Sequence, residues 1–202
     1  MVLQDIIHDI NKSSGLVNYL EQLEKSYISN LECKSFLVPI LSKLISVASK
    51  SDILIISSSE NSSTEMLNWI NNLTGDFENT LFFPQKKEHS NSSKNKERFE
   101  FISRFRKTSS NKIITSTLNS ALESLPSPST LKSKSIKLNK QDSINLNSLS
   151  QKLTSIGFEN KNHQIEFKGE YTIRGGILDI FSYDYENPIR IELFGNSIES
   201  IR

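Results

Sequence analysis

The chain is poor in the residues that tie a fold together by covalent or metal bonds. Cys33 is the only cysteine among 202 residues. No intrachain disulfide can form, and four-cysteine zinc sites are excluded. A lone thiol fits a reducing compartment, so a cytoplasmic location is expected. No segment approaches the roughly 18 uninterrupted apolar residues needed to cross a bilayer. The opening Met-Val-Leu-Gln-Asp has no basic region leading into an apolar run, and a secretory signal is not expected. Neither sign of charge dominates: charged residues make up 23% of the chain and the net charge is +1. The whole-chain balance therefore argues for no strongly polyanionic partner.

Catalytic constellations are also missing. A phosphate loop needs glycines whose bare amides cradle phosphates, followed by Lys and Ser or Thr at a helix start. Lys34-Ser35 stands ahead of an apolar helical stretch, but the two glycine positions hold Ile28 and Cys33. Side chains there would block a phosphate, so Cys33, Lys34 and Ser35 read as a degenerate nucleotide site and Lys34 as a surface residue. His8, His89 and His163 lie in unrelated contexts, where a solvated or satisfied ring is the ordinary reading. No serine sits in a Gly-x-Ser-x-Gly elbow. No catalytic residue, metal site or cofactor is expected, and the chain by itself is not expected to be an enzyme.

Patterned elements are what remains. Leu3, Ile6, Ile7 and Ile10, then Leu16, Tyr19, Leu20 and Leu23, recur at the spacing of short amphipathic helices, with Gly15 as a break. A more apolar helix is predicted over 35–49, with Pro39 in its first turn. Asp52 to Ser57 reads as a strand buried on both faces. A helix follows over 61–74, then a strand over 80–84 and a polar stretch over 87–96. The next helix, about 97–107, shows Phe99, Ile102 and Phe105 on one side. A strand over 112–116 and a short helix marked by Leu118, Ala121, Leu122 and Leu125 complete the series. Strand alternating with helix argues a parallel α/β layer.

Pro126-Ser-Pro128 marks a boundary, and the pattern then changes. A short strand is expected at 135–138 and a helix at 145–156, stopped by Gly157. From Gly169 onward, apolar and polar residues alternate with period two. Breaks at Gly175-Gly176 and at Glu186-Asn187-Pro188 make this a run of antiparallel strands, so the second part is α+β.

Three features carry interaction chemistry. Between Lys86 and Lys112 there are nine Lys or Arg against three acids. That stretch is a candidate phosphate-binding surface, but it lacks exposed aromatics for base stacking, and a solvated face is the plainer reading. Asp179, in an otherwise apolar strand, reads first as an acceptor of hydrogen bonds from a neighbouring turn or the partner of an Arg such as Arg190, and second as a perturbed acid. Arg174 precedes two glycines, so a long cation stands beside bare backbone. It either pairs with Glu170 or Asp179, or it is an interface Arg whose planar fork makes directed bonds.

The motifs Gly169-Glu-Tyr-Thr-Ile-Arg-Gly-Gly-Ile-Leu-Asp-Ile-Phe181, Pro188-Ile-Arg-Ile-Glu-Leu-Phe-Gly195 and Ile198-Glu-Ser-Ile-Arg202 resemble the N-terminal, UvrB-like module of the bacterial transcription-repair coupling factors, the Mfd family. Weaker matches at Leu81–Pro84, Arg98–Ile102, Ile113–Ser116, Ala121–Pro126 and Leu153–Phe158 keep the same order over about residues 30–202. The resemblance implies a degenerate P-loop-type α/β domain over 1–128, an α+β UvrB-interaction-type domain over 129–195, and a return toward the first domain over 196–202. It implies a non-catalytic module that binds the damage-recognition ATPase UvrA in transcription-coupled nucleotide excision repair. RNA polymerase and DNA would be reached only through later domains, and no membrane is involved.

The resemblance also implies that the strand Arg before Gly-Gly carries the UvrA contact. That role transfers to Arg174, with Phe158, Glu170, Gly175 and Gly176 around it. A second Arg that the family carries after the helix is replaced here by Asn160. Two alternatives stand beside this reading. One is the front part of a UvrB-like ATP-dependent repair helicase, against which the missing phosphate-loop glycines and the absence of a Tyr-rich hairpin over 80–110 both speak. The other is a nucleic-acid-binding module using 86–112. A fluorescent ATP analogue is expected to show no micromolar binding to this chain; saturable binding in that range would restore the helicase reading.

Overall fold

The computed structural model describes residues 12, 14–25, 32–86, 93–108 and 111–202. The apolar positions at Leu3 to Ile10, together with Ile28, His8 and His89, lie outside them. The chain divides into two compact units, Met1–Glu123 and Ser124–Arg202.

In the first unit, α1 (Ser14–Lys25) holds Gly15 inside its first turn, so that glycine does not break the helix. A 3₁₀ turn (Ser35–Leu37) leads into α2 (Val38–Ser49), where Pro39 occupies the first turn, the position at which a missing N–H costs nothing. Strand β1 (Ile53–Ser57), helix α3 (Glu60–Thr74), β2 (Thr80–Phe83), α4 (Ser93–Lys107), β3 (Ile113–Thr117) and the single turn α5 (Leu118–Ala121) follow. Ser59 caps α3 by accepting from the Ser62 N–H at 3.1 Å, and Gly75 ends it in the left-handed region at φ 67°. The three strands are parallel in the order β1-β3-β2.

The expectation that the first strand is buried on both faces fails. Leu54 and Ile56 are 52% and 45% exposed. They lie on the same sheet face as Ile114, Leu81 and Phe83, by register. Helix α4 covers that face at β2, where Phe101 packs on Phe83 with ring centroids 4.7 Å apart. Among the described residues nothing covers it at the edge strand in the same way. The inward stripe of α4 also differs from expectation: Phe101 and Ile102 join this core, while Phe99 is exposed. The helix after β3 is only one turn long, and Leu118, Leu122 and Leu125 are exposed.

In the second unit, α6 (Pro128–Lys134) begins at the Ser127 cap, and the expected strand at 135–138 is absent. Ile136 and Leu138 still pack on the core. Helix α7 (Leu146–Ser155) starts at Asn145, whose side-chain oxygen accepts from the Ser148 N–H at 3.0 Å. Gly157, at φ 100°, turns the chain out of it. Five strands follow: β4 (Glu159–Asn160), β5 (Glu170–Arg174), β6 (Ile177–Phe181), β7 (Ile189–Phe194) and β8 (Ser197–Ile201). They form one sheet in sequence order, parallel only between β4 and β5. Residues 197–201 are the last strand of this sheet.

The core of this unit is Leu149 and Leu153 of α7 against Tyr171, Leu178, Ile191 and Ile198 of the sheet. Tyr171 has no exposed surface. Its hydroxyl lies 2.7 Å from Ser150 Oγ and 3.0 Å from Thr154 Oγ1, and it donates to the Ser150 carbonyl at 3.2 Å. A buried phenol with its polar tip satisfied joins sheet to helix at one point. Tyr171→Phe should lower unfolding free energy by about 1 kcal/mol, read from the urea midpoint at unchanged m-value.

Candidate functional site

Alternation along β5 sends Tyr171 and Ile173 to the helix side of the sheet and Glu170, Thr172 and Arg174 to the other side. Cross-strand register adds Ile177 and Asp179 from β6 and Arg190 and Glu192 from β7 to that outer face. Most of its charges are paired. Arg190 donates through Nε and Nη2 to the two carboxylate oxygens of Asp179, at 2.7 and 2.8 Å. This directly opposed, two-bond pair holds the Asp179 carboxyl below its usual range, with Arg174 and Arg202 adding weaker pulls. Asp179 is thus the structural partner of Arg190. Glu192 pairs with Arg202 and accepts from Ser200 Oγ at 2.8 Å.

Glu170 is only 4% exposed. One of its oxygens accepts the N–H groups of Glu166 and Phe167, both at 2.9 Å, and the other lies 3.4 Å from Lys161 Nζ. Burial pushes its pKa up, but these bonds and the lysine outweigh that, and the net shift is downward. The carboxylate secures the loop before β5, so this candidate contact residue is spent internally.

Arg174 is different. It is exposed and makes no hydrogen bond or ion pair among the described residues. Both carboxylates that could have held it, Glu170 and Asp179, are engaged elsewhere. The two glycines beside it behave unequally. An added Cβ at Gly175 would meet nothing within 4 Å, and the residue has φ 59°, as the first central position of a tight hairpin turn requires. At Gly176 a Cβ would come within 2.8 Å of the Leu193 carbonyl oxygen. The close approach that the glycines permit is therefore taken, at Gly176, by the chain's own β7. Phe158 is half-buried, packs on the core and faces Tyr183 at 6.1 Å between rings. Asn160 is exposed on β4, and its neighbour Lys161 is bound to Glu159 at 2.6 Å.

Elsewhere the candidates disperse. Cys33, Lys34 and Ser35 are exposed, and Ser35 lies in the 3₁₀ turn and not at an α-helix start, so no phosphate cradle is formed by them. Several cations of the basic stretch are consumed by the fold. Arg98, 8% exposed, donates to the Pro84 carbonyl at 2.7 Å, pairs with Glu123 at 2.8 Å and lies over the Phe83 ring. Arg104 donates to the carbonyls of Phe77 and Thr80, and Lys112 pairs with Asp52 at 3.2 Å. His163 is exposed in the loop before β5.

The profile of the UvrB interaction domain matches residues 136–202. That region contains α7, all five strands and every partner-contact candidate, and it excludes Cys33 to Ser35. Over nearly its whole length the chain is similar to a transcription-repair-coupling factor of Borreliella burgdorferi, 31% identical over 198 residues. That match takes in 96% of this chain and 17% of the relative. A transcription-repair-coupling factor of Bacillus subtilis is 44% identical over 54 residues, 27% of this chain and 4% of that protein. The UvrABC system protein B of Fervidobacterium nodosum is 38% identical over 80 residues, 40% of this chain and 12% of that protein. The chain thus spans less than a fifth of the length of these curated relatives.

Within the UvrB interaction domain, Glu170 sets a pH dependence. Its folded pKa lies below the ordinary value, so its stabilisation is complete above that value and is lost as pH falls through the folded one. Glu170→Ala removes the acceptor of the Glu166 and Phe167 N–H groups and should cost about 1–3 kcal/mol at pH 7. The gap to wild type in urea unfolding should narrow below about pH 4.

Proposed function

We propose that this chain is a non-catalytic protein-interaction module that binds UvrA in transcription-coupled nucleotide excision repair. The supporting observation is Arg174: a guanidinium without a partner among the described residues, held at the end of a rigid strand, within the UvrB interaction domain region. Arg in such a position suits a carboxylate or carbonyl of another protein better than a phosphate chain, because residues 169–202 carry three Arg against six acids. The reading assigns no polymerase or DNA contact to these 202 residues and places the module in the cytoplasm. It takes residues 1–128 as a helicase-like α/β domain without a working phosphate loop and 129–195 as the UvrA-binding part.

The DNA-binding alternative is weakened because Arg98, Arg104 and Lys112 are committed inside the first unit. Replacing a desolvated interface Arg by Ala costs about 2 kcal/mol or more, roughly thirtyfold in affinity. Arg174→Ala is therefore expected to weaken UvrA binding by about that factor in a calorimetric titration, with an unchanged urea midpoint. Unaltered affinity would show the contact assignment to be wrong.

A further inference from the structure

The outer face of the second sheet has one more unusual member. Alternation along β7 buries Ile191 and leaves Arg190, Glu192 and Phe194 on the outer side. Phe194 is 83% exposed, the most exposed large hydrophobic among the described residues. A single exposed Phe is ordinary on a protein surface. Its surroundings are not.

The β5–β6 and β7–β8 turns lie at the same end of the antiparallel sheet. Gly175 in the first and Gly195 in the second have φ 59° and 62°, and an added Cβ at either would meet nothing within 4 Å. A glycine with open space beside it thus stands in each of the two turns at the ring's end of the sheet. Ile177, half-buried on β6, lies on the same outer face between the strands that carry Arg174 and Phe194. With adjacent strands about 4.8 Å apart, β5 and β7 are roughly 10 Å apart, within the footprint of one hot-spot cluster. The cations Arg190, Arg202 and Lys161 on this face are each matched to an acid. Arg174 is the exception among the described residues.

Resting on the UvrA-binding reading, we propose that Arg174 and Phe194 form one contact element at the hairpin end of the outer face, diagonally across the Gly175-Gly176 turn. The partner surface it fits carries a carboxylate flanked by an apolar recess: the carboxylate takes the guanidinium fork, and the recess takes the ring. Aromatic residues and Arg are the types enriched where protein interfaces concentrate their binding energy. The open space at Gly175 and Gly195 leaves room for a partner backbone beside the ring.

The test titrates purified UvrA into the complete 202-residue chain, comparing wild type with Phe194→Ala, Phe194→Leu and Arg174→Ala. Phe194→Ala should weaken binding by about tenfold or more, and Phe194→Leu by less, because Leu keeps part of the apolar bulk. Far-UV circular dichroism and the urea midpoint should not move, since the ring is exposed. If wild type binds and Arg174→Ala weakens it while Phe194→Ala stays within about twofold of wild type, the shared contact is overturned and the UvrA reading stands. If wild type does not bind UvrA, both fall.

Discussion

The second unit depends on one buried residue. Tyr171 lies beneath α7 with no exposed surface, its ring in the core and its hydroxyl held by Ser150 and Thr154. A strand has a side-chain period of two, so once Tyr171 points inward the orientation of every other residue on β5 is decided. Glu170 turns to the far side and secures the loop before the strand. Arg174 turns to the far side and makes no hydrogen bond or ion pair among the described residues. A slip of one residue in the pairing of β5 would bury the guanidinium and expel the phenol, and the cost of an unpaired charge in the core forbids it.

Ion pairing explains why a face with so many charges presents so few to a partner. Asp179 and Arg190 are directly opposed and exchange two bonds. Glu192 is taken by Arg202 and Ser200, and Lys161 by Glu159 and Glu170. The first unit uses its cations in the same way: Arg98 bridges Pro84, Phe83 and Glu123, and Lys112 ties β3 to Asp52. Three cations of the basic run thereby serve as internal fastening. Charge counted along a chain says little about a surface until the partners of each group are known.

Much of the fold was legible residue by residue. The 3.6-residue spacing of Leu146, Leu149 and Leu153 marked α7, and the alternation from Gly169 onward marked β5, β6 and β7. The pairing of Asp179 with Arg190 was the plainer reading of an acid in an apolar strand, and the structure has it. Other elements left no usable signal. Strand β4 is two residues long, too short for any period. The stretch 135–138 has strand-like alternation but no ladder, because its apolar residues reach the core from an irregular segment. On α4, Phe99 and Phe101 are equally apolar, and only the position of the sheet decides that Phe101 is inside.

The sequence by itself determined the class of each unit, the order of strand and helix, and the likeness of residues 136–202 to the UvrB interaction domain. It also brought forward Arg174 and its two glycines, because period and residue type are local properties. Only the tertiary structure decided which of these groups remains available. Glu170 and Asp179 were equal candidates to hold Arg174 until register gave one to backbone amides and the other to Arg190. Gly176 was open backbone until β7 lay against it. Availability depends on what lies opposite, and what lies opposite is set by pairing between strands distant in the chain.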